Sequence, residues 1–134
     1  MLVLRVRRYR CLRCRAVCTV VPRGVVRRRH FGAGAIGWAL FLYGHEHLTA
    51  HVVRDRVGGI GSRSAGHWVT LRRWLRAVAH GALFVVRPSP VAFTVRQAAE
   101  RAAMTLASFA PPDAHGDSLS AQVFIGAESL AQAA

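Results

Sequence analysis

The 134 residues suffice for one small domain and exclude two full-sized ones, while a hydrophobic content of 52% excludes wholesale disorder. A formal net charge of +13 exceeds what solubility requires and points to a polyanionic partner: DNA, RNA or an anionic membrane surface. All 19 residues of the Lys+Arg class are arginine, as GC-rich bacterial coding favours; a misread GC-rich frame would share that bias, so ordered patterns must carry the reading.

Residues 1–30 hold ten arginines, at 5, 7, 8, 10, 13, 15, 23, 27, 28 and 29, and the first acid is Glu46. Leu2, Leu4, Val6 and Tyr9 alternate with basic positions, which predicts a half-buried strand over 2–10. A tight turn at Cys11–Cys14 follows, and the β-branched stretch 15–21 predicts a second strand closed by Pro22 and Gly24. The first unit, 1–30, is thus a basic β-ribbon with a cysteine knuckle at its tip.

From Phe31 the period changes to helical. Phe31 to Tyr43 is apolar all round, the pattern of a central bundle helix, and too short for the ~18 to 20 residues of a bilayer span. Leu48 to Val57 predicts a second helix, broken by Gly58, Gly59 and Gly61. Ser62 or Ser64 can cap a third over about 65–80. There Trp68, Leu71, Leu75 and Val78 share one face, with Gly66, Thr70, Arg73 and Arg76 on or toward the other. The body therefore runs 31–87. Pro88 and Pro90 open an Ala-rich unit, 88–112, with a helix over 93–109; 113–134 reads as a loosely ordered tail. The class is α+β, mainly α.

Cys11-x-x-Cys14 has the bite of a zinc knuckle, in which two thiolates from one turn hold one edge of a tetrahedron. Two more ligands are needed. Cys18 and His30 can supply them, a first cysteine pair can stand upstream of Met1, or the cysteines can be metal-free. No export signal is read, because Arg5 to Arg15 interrupts any apolar h-region, so the thiols are expected to be reduced in the cytoplasm.

Residues 48–80 have the layout of a helix-turn-helix, whose last helix enters the major groove, where arginine reads guanine O6 and N7. The plainer reading is a helical hairpin with its charged side in water. Gly32-x-Gly34-x-x-Gly37 matches a dinucleotide fingerprint as text, but Arg27 to His30 cannot be the buried strand it requires; small residues at a close helix approach explain it better. His45-Glu46-His47 lacks the HExxH spacing because position 49 is Thr, although His47 and His51 would share a helical face. The six acids are scattered, so a two-metal nuclease is not expected.

The segments YRCLRC (9–14), VVPRGVVRRRHF (20–31) and TLRRWLRAV (70–78) together resemble bacterial transposase-related proteins that join a zinc ribbon to a helix-turn-helix. The likeness covers about residues 5–80 and departs from the family in lacking the first cysteine pair. It implies Cys11 and Cys14 as zinc ligands, with Thr70, Arg72 and Arg73 at or near the DNA.

The sequence thus leads to a non-enzymatic protein that binds double-stranded DNA in the cytoplasm, of transposable-element origin. Arg5, Arg7, Arg8, Arg10, Arg13, Arg15, Arg27, Arg28 and Arg29 would contact phosphates. Arg63, Ser64, Thr70, Arg72, Arg73 and Arg76 would lie at the groove. The rivals are a ribosome-associated RNA-binding protein, for which the ribbon offers Tyr9 as a stacking platform, and a membrane-surface protein using the apolar 31–43 helix.

Overall fold

A computed structural model describes residues 7–20, 31–58, 68–84 and 94–133. Among them are a two-stranded sheet and five α-helices, so the chain is mainly helical with a small β element at its start. Strands β1 (Arg7–Arg10) and β2 (Val17–Val20) are antiparallel, with Tyr9 opposite Cys18 and Arg10 opposite Val17. Of the ribbon expected over 1–30 this hairpin is the described part; Leu2, Leu4 and Val6, which carried the expected apolar face, lie outside the described residues. Every described residue of 7–20 whose side chain is placed is exposed. Four basic or aromatic residues in a row, Arg7 to Arg10, leave no apolar face to bury.

Helix α1 (Ala33–Gly44) is the axis of the bundle. Ala33, Ile36, Ala39 and Leu40 are fully inaccessible, as an all-round apolar helix demands. Its two main partners are α4 (Val95–Ala107) and α5 (Leu119–Ala133), which also pack on each other. Along α4, Ala99, Ala102, Ala103 and Leu106 recur at helical spacing and are all fully buried. That stripe is built mainly from alanine, so the helices must lie close to exclude solvent.

Glycine makes that approach feasible. A Cβ on Gly34 would stand 2.7 Å from the Phe124 ring, and one on Gly37 would stand 2.9 Å from Ala127 Cβ. A Cβ on Gly44 would meet the backbone at Glu100. The Gly32 to Gly37 motif is therefore a packing seam between α1 and α5, as small residues at a helix approach suggested.

Helices α2 (Ala50–Val57) and α3 (Val69–Ala79) lie on this core. α2 packs on α1, and α3 packs chiefly on α4; α2 and α3 are not closely packed on each other among the described residues. Both α2 and α4 start at a threonine: Thr49 Oγ1 accepts from Val52 N–H, and Thr94 shares a reciprocal capping box with Gln97. On α3, Trp74 is buried between Phe31 and Trp68, its ring centroid 5.0 and 5.2 Å from theirs in edge-to-face geometry.

Two expectations are corrected here. Residues 113–134 are no loose tail: a 3-10 turn at Pro112–Ala114 leads into the 15-residue α5, with Val123 and Ala127 fully buried. The tail is tied to the other end of the chain, because Glu128 Oε1 accepts from Gly34 N–H at 2.8 Å. Gly34 lies in the first turn of α1, whose N–H groups lack helical acceptors, and the carboxylate also suits the positive end of that helix. The Ala-rich stretch 88–112 is likewise no separate unit, since α4 is a wall of the core that surrounds α1. No described helix is long and apolar enough to cross a membrane.

Candidate nucleic-acid interface

The ribbon presents Arg7, Arg8, Arg10, Arg13 and Arg15 to solvent with no acid among residues 7–20. In an antiparallel pair, opposite residues share a face. Arg7 and Tyr9 therefore lie with Cys18 and Val20, and Arg8 and Arg10 with Val17. Both faces carry guanidinium groups, so the ribbon is cationic all round. Tyr9 stands out of it at 52% exposure.

The tip is a tight turn. Cys11 N–H donates to Ala16 O at 2.8 Å and Arg15 N–H to Cys11 O at 3.0 Å, with Arg15 held at φ +61°. Within the turn, the Cys14 N–H, the Cys14 thiol and the Arg13 N–H all donate to the Cys11 sulfur. These three donors favour the thiolate and hold Cys11 below the ordinary thiol range. A turn that aims N–H groups at one sulfur and sets a second beside it fits one edge of a zinc tetrahedron. Cys18 is exposed on β2 and is not gathered with the pair: among the described residues no three cysteines, histidines or acids form a metal-holding group. His30 lies outside the described residues, as do Arg5, Arg27, Arg28, Arg29, Arg63 and Ser64.

On α3 the apolar stripe is as expected, with Trp68, Leu71, Leu75 and Val78 buried and Trp74 added to it. Arg72, Arg73 and Arg76 are exposed on the opposite side. Thr70 is half-buried at the margin of the stripe, less accessible than the arginines. Arg72 and Arg76, one turn apart, lean over a half-open groove of about 510 Å³ that the sequence did not reveal. It is bounded by Tyr43 near the end of α1, Ala50 and Val95 at the starts of α2 and α4, and Leu75, Ala79 and His80 at the end of α3. The only cue in the sequence was the line Arg72, Arg76, His80 at four-residue intervals. Arg73 does not line the groove.

The histidine-rich stretch 45–51 holds no zincin site. His47 sits in a left-handed conformation (φ +54°) before Thr49 caps α2, so it does not share a helical face with His51. His45 stacks on Phe41 and lies 3.6 Å from Glu100. His51 instead joins Arg54 and Asp55: Arg54 Nη2 is 2.8 Å from His51 Nδ1, and Arg54 Nε donates to Asp55 Oδ1 at 3.2 Å. Those partners accompany an arginine that is only 8% exposed, whose stem packs against the bundle.

Compared with protein-family models, curated proteins and solved structures, the chain matches none.

Proposed function

We propose that this protein binds double-stranded DNA, as a non-enzymatic protein of transposable-element origin acting on the nucleoid in the cytoplasm. The observation that carries this reading is the ribbon: five exposed arginines over residues 7–20, with no acid and no buried side chain among those placed. An isolated two-stranded ribbon is marginal in water, and one covered in like charge is more so. A polyanion stabilises it by supplying the counter-charge. Arg7, Arg8, Arg10, Arg13 and Arg15 then contact phosphates, and Arg72, Arg73 and Arg76 provide a second basic face from α3.

Cys11 and Cys14 would hold zinc when two further ligands complete the set, and the metal would fix the ribbon's apex. Nine of the twelve residues of α1 are buried in the bundle, which supports a core role for that helix over a membrane-surface one.

Gel-shift titration on duplex DNA across a salt series tests the reading. The wild type should lose affinity steeply with salt, with a log–log slope near −0.9 per phosphate contact. The Arg73→Ala/Arg76→Ala variant should flatten that slope. Affinity indifferent to both salt and the double substitution refutes it. On the ribbon, exposed Tyr9 favours single strands. A preference for single-stranded RNA that Tyr9→Ala abolishes would establish that alternative.

A further inference from the structure

We infer that the groove between α3 and the starts of α2 and α4 seats a nucleoside phosphate, its phosphate between Arg72 and Arg76 and its base on the apolar floor. This deepens the nucleic-acid reading and rests on it only for the source of the ligand. The chemistry is set by the lining. Tyr43, Leu75 and Ala79 are apolar or aromatic, whereas Arg72, Arg76 and His80 are basic, and among the described residues no carboxylate lines the groove. A cationic rim over an apolar floor selects an amphipathic anion. It rejects both a cation and a purely apolar ligand.

Size narrows the choice. At about 510 Å³ the groove exceeds what inorganic phosphate fills and falls within the roughly 300–1,000 Å³ range of small-molecule sites. Guanidinium forks match phosphate oxygens in bidentate geometry, and two of them one turn apart on a helix can share one phosphate.

The site is also held in place. Arg96 lies 4.3 Å over the Tyr43 ring and donates from Nη1 to the Tyr43 carbonyl, which fixes that ring from outside the lining. Ala50 and Val95 are the first residues of their helices, so two positive helix ends border the groove. The end of α3 contributes the opposite partial charge, about half an elementary charge, which two full guanidinium charges outweigh.

The ligand can be a free nucleotide or an unpaired nucleotide of a strand, and the experiment separates these sources. Calorimetric titration of the full chain would use AMP, a 5′-phosphorylated single-stranded oligonucleotide and inorganic phosphate. Either nucleotide ligand should bind, with Arg72→Ala and Arg76→Ala each weakening it about tenfold. Arg73→Ala, which removes the same charge beside the groove, should change AMP binding less than about twofold. Ala79→Phe fills the groove without altering charge and should abolish binding, with helicity checked by circular dichroism. Affinity for blunt duplex DNA, carried by the ribbon, should survive in that variant, so the groove and the DNA-binding reading fail separately. The inference is overturned if neither nucleotide ligand binds at millimolar concentration, if Arg73→Ala costs as much as Arg72→Ala, or if inorganic phosphate binds as tightly as AMP.

Discussion

Replacing Gly126 with alanine sets two effects of opposite sign against each other, and the geometry decides between them. Gly126 lies inside α5, where exchanging glycine for alanine ordinarily stabilises a helix by about 1 kcal/mol. Here, however, the new Cβ would overlap the Leu106 carbonyl oxygen and come within 2.9 Å of its carbon and 3.0 Å of Ala110 N. These are backbone atoms, so no side-chain rotation relieves the overlap. α5 would have to move away from α4, opening the close-packed alanine interface. Overpacking of this kind costs about 1–3 kcal/mol, and separation of the interface adds lost contacts. The clash outweighs the propensity gain, and the net effect should be a destabilisation of about 1–3 kcal/mol. Urea unfolding followed by tryptophan fluorescence measures it, because Trp68 and Trp74 lie in the core cluster. Gly116→Ala, where nothing stands within 4 Å, is the control and should change stability by less than about 0.5 kcal/mol. A neutral or stabilised Gly126→Ala protein would refute the close approach of α4 and α5.

Three further outcomes are expected. Thr94→Ala dismantles the capping box of α4 and should cost about 1 kcal/mol in the same assay, whereas Thr94→Ser should retain most of it. Glu128→Ala removes the acceptor of Gly34 N–H and should cost about 1–2 kcal/mol; Glu128→Gln, which keeps an acceptor without the charge, should cost less. Cys11 should be alkylated by iodoacetamide at lower pH than an unstructured cysteine, because its sulfur accepts from Cys14 and Arg13. Cys14→Ala deletes the thiol donor but leaves the backbone donors, so that pH midpoint should rise only part of the way back. Since the folded value is depressed, Cys11 stabilises the turn above the ordinary thiol range, and the contribution is lost as pH falls through the lowered value.

Much of the body was legible because it rests on local signals. The uninterrupted apolar run 31–43 marked α1, the Ala-rich run after Pro88 and Pro90 marked α4, and the stripe from Trp68 to Val78 oriented α3. The α3 arginines fell on the expected side for the same reason. α5 was not legible because its buried positions are small: Val123, Ala127 and a partly buried Leu130 give shallow periodicity, and its stability comes from α1 and α4. Ser118, whose Oγ accepts from Ala121 N–H at 3.4 Å, was the local cue to its start. The alternation from Leu2 to Val6 lies outside the described residues, and the described part of β1 is Arg7 to Arg10. The groove could not be read at all, since Tyr43, Ala50, Arg76 and Val95 meet only through tertiary packing. Trp74 was missed because the stripe had been filled without it, although it stands three residues from Leu71.

The bond between Glu128 and Gly34 spans 94 positions of the chain, and it has a consequence for synthesis. α1 is the most apolar of the described helices, yet its covering walls, α4 and α5, are translated well after it. At about 5–20 residues per second, a nascent chain would carry α1 unshielded for several seconds before Glu128 leaves the ribosome. Over that interval its aliphatic surface is a natural substrate for holdase chaperones. Deleting α5 should therefore show first as aggregation of newly made chains, before any loss of binding in molecules that have already folded.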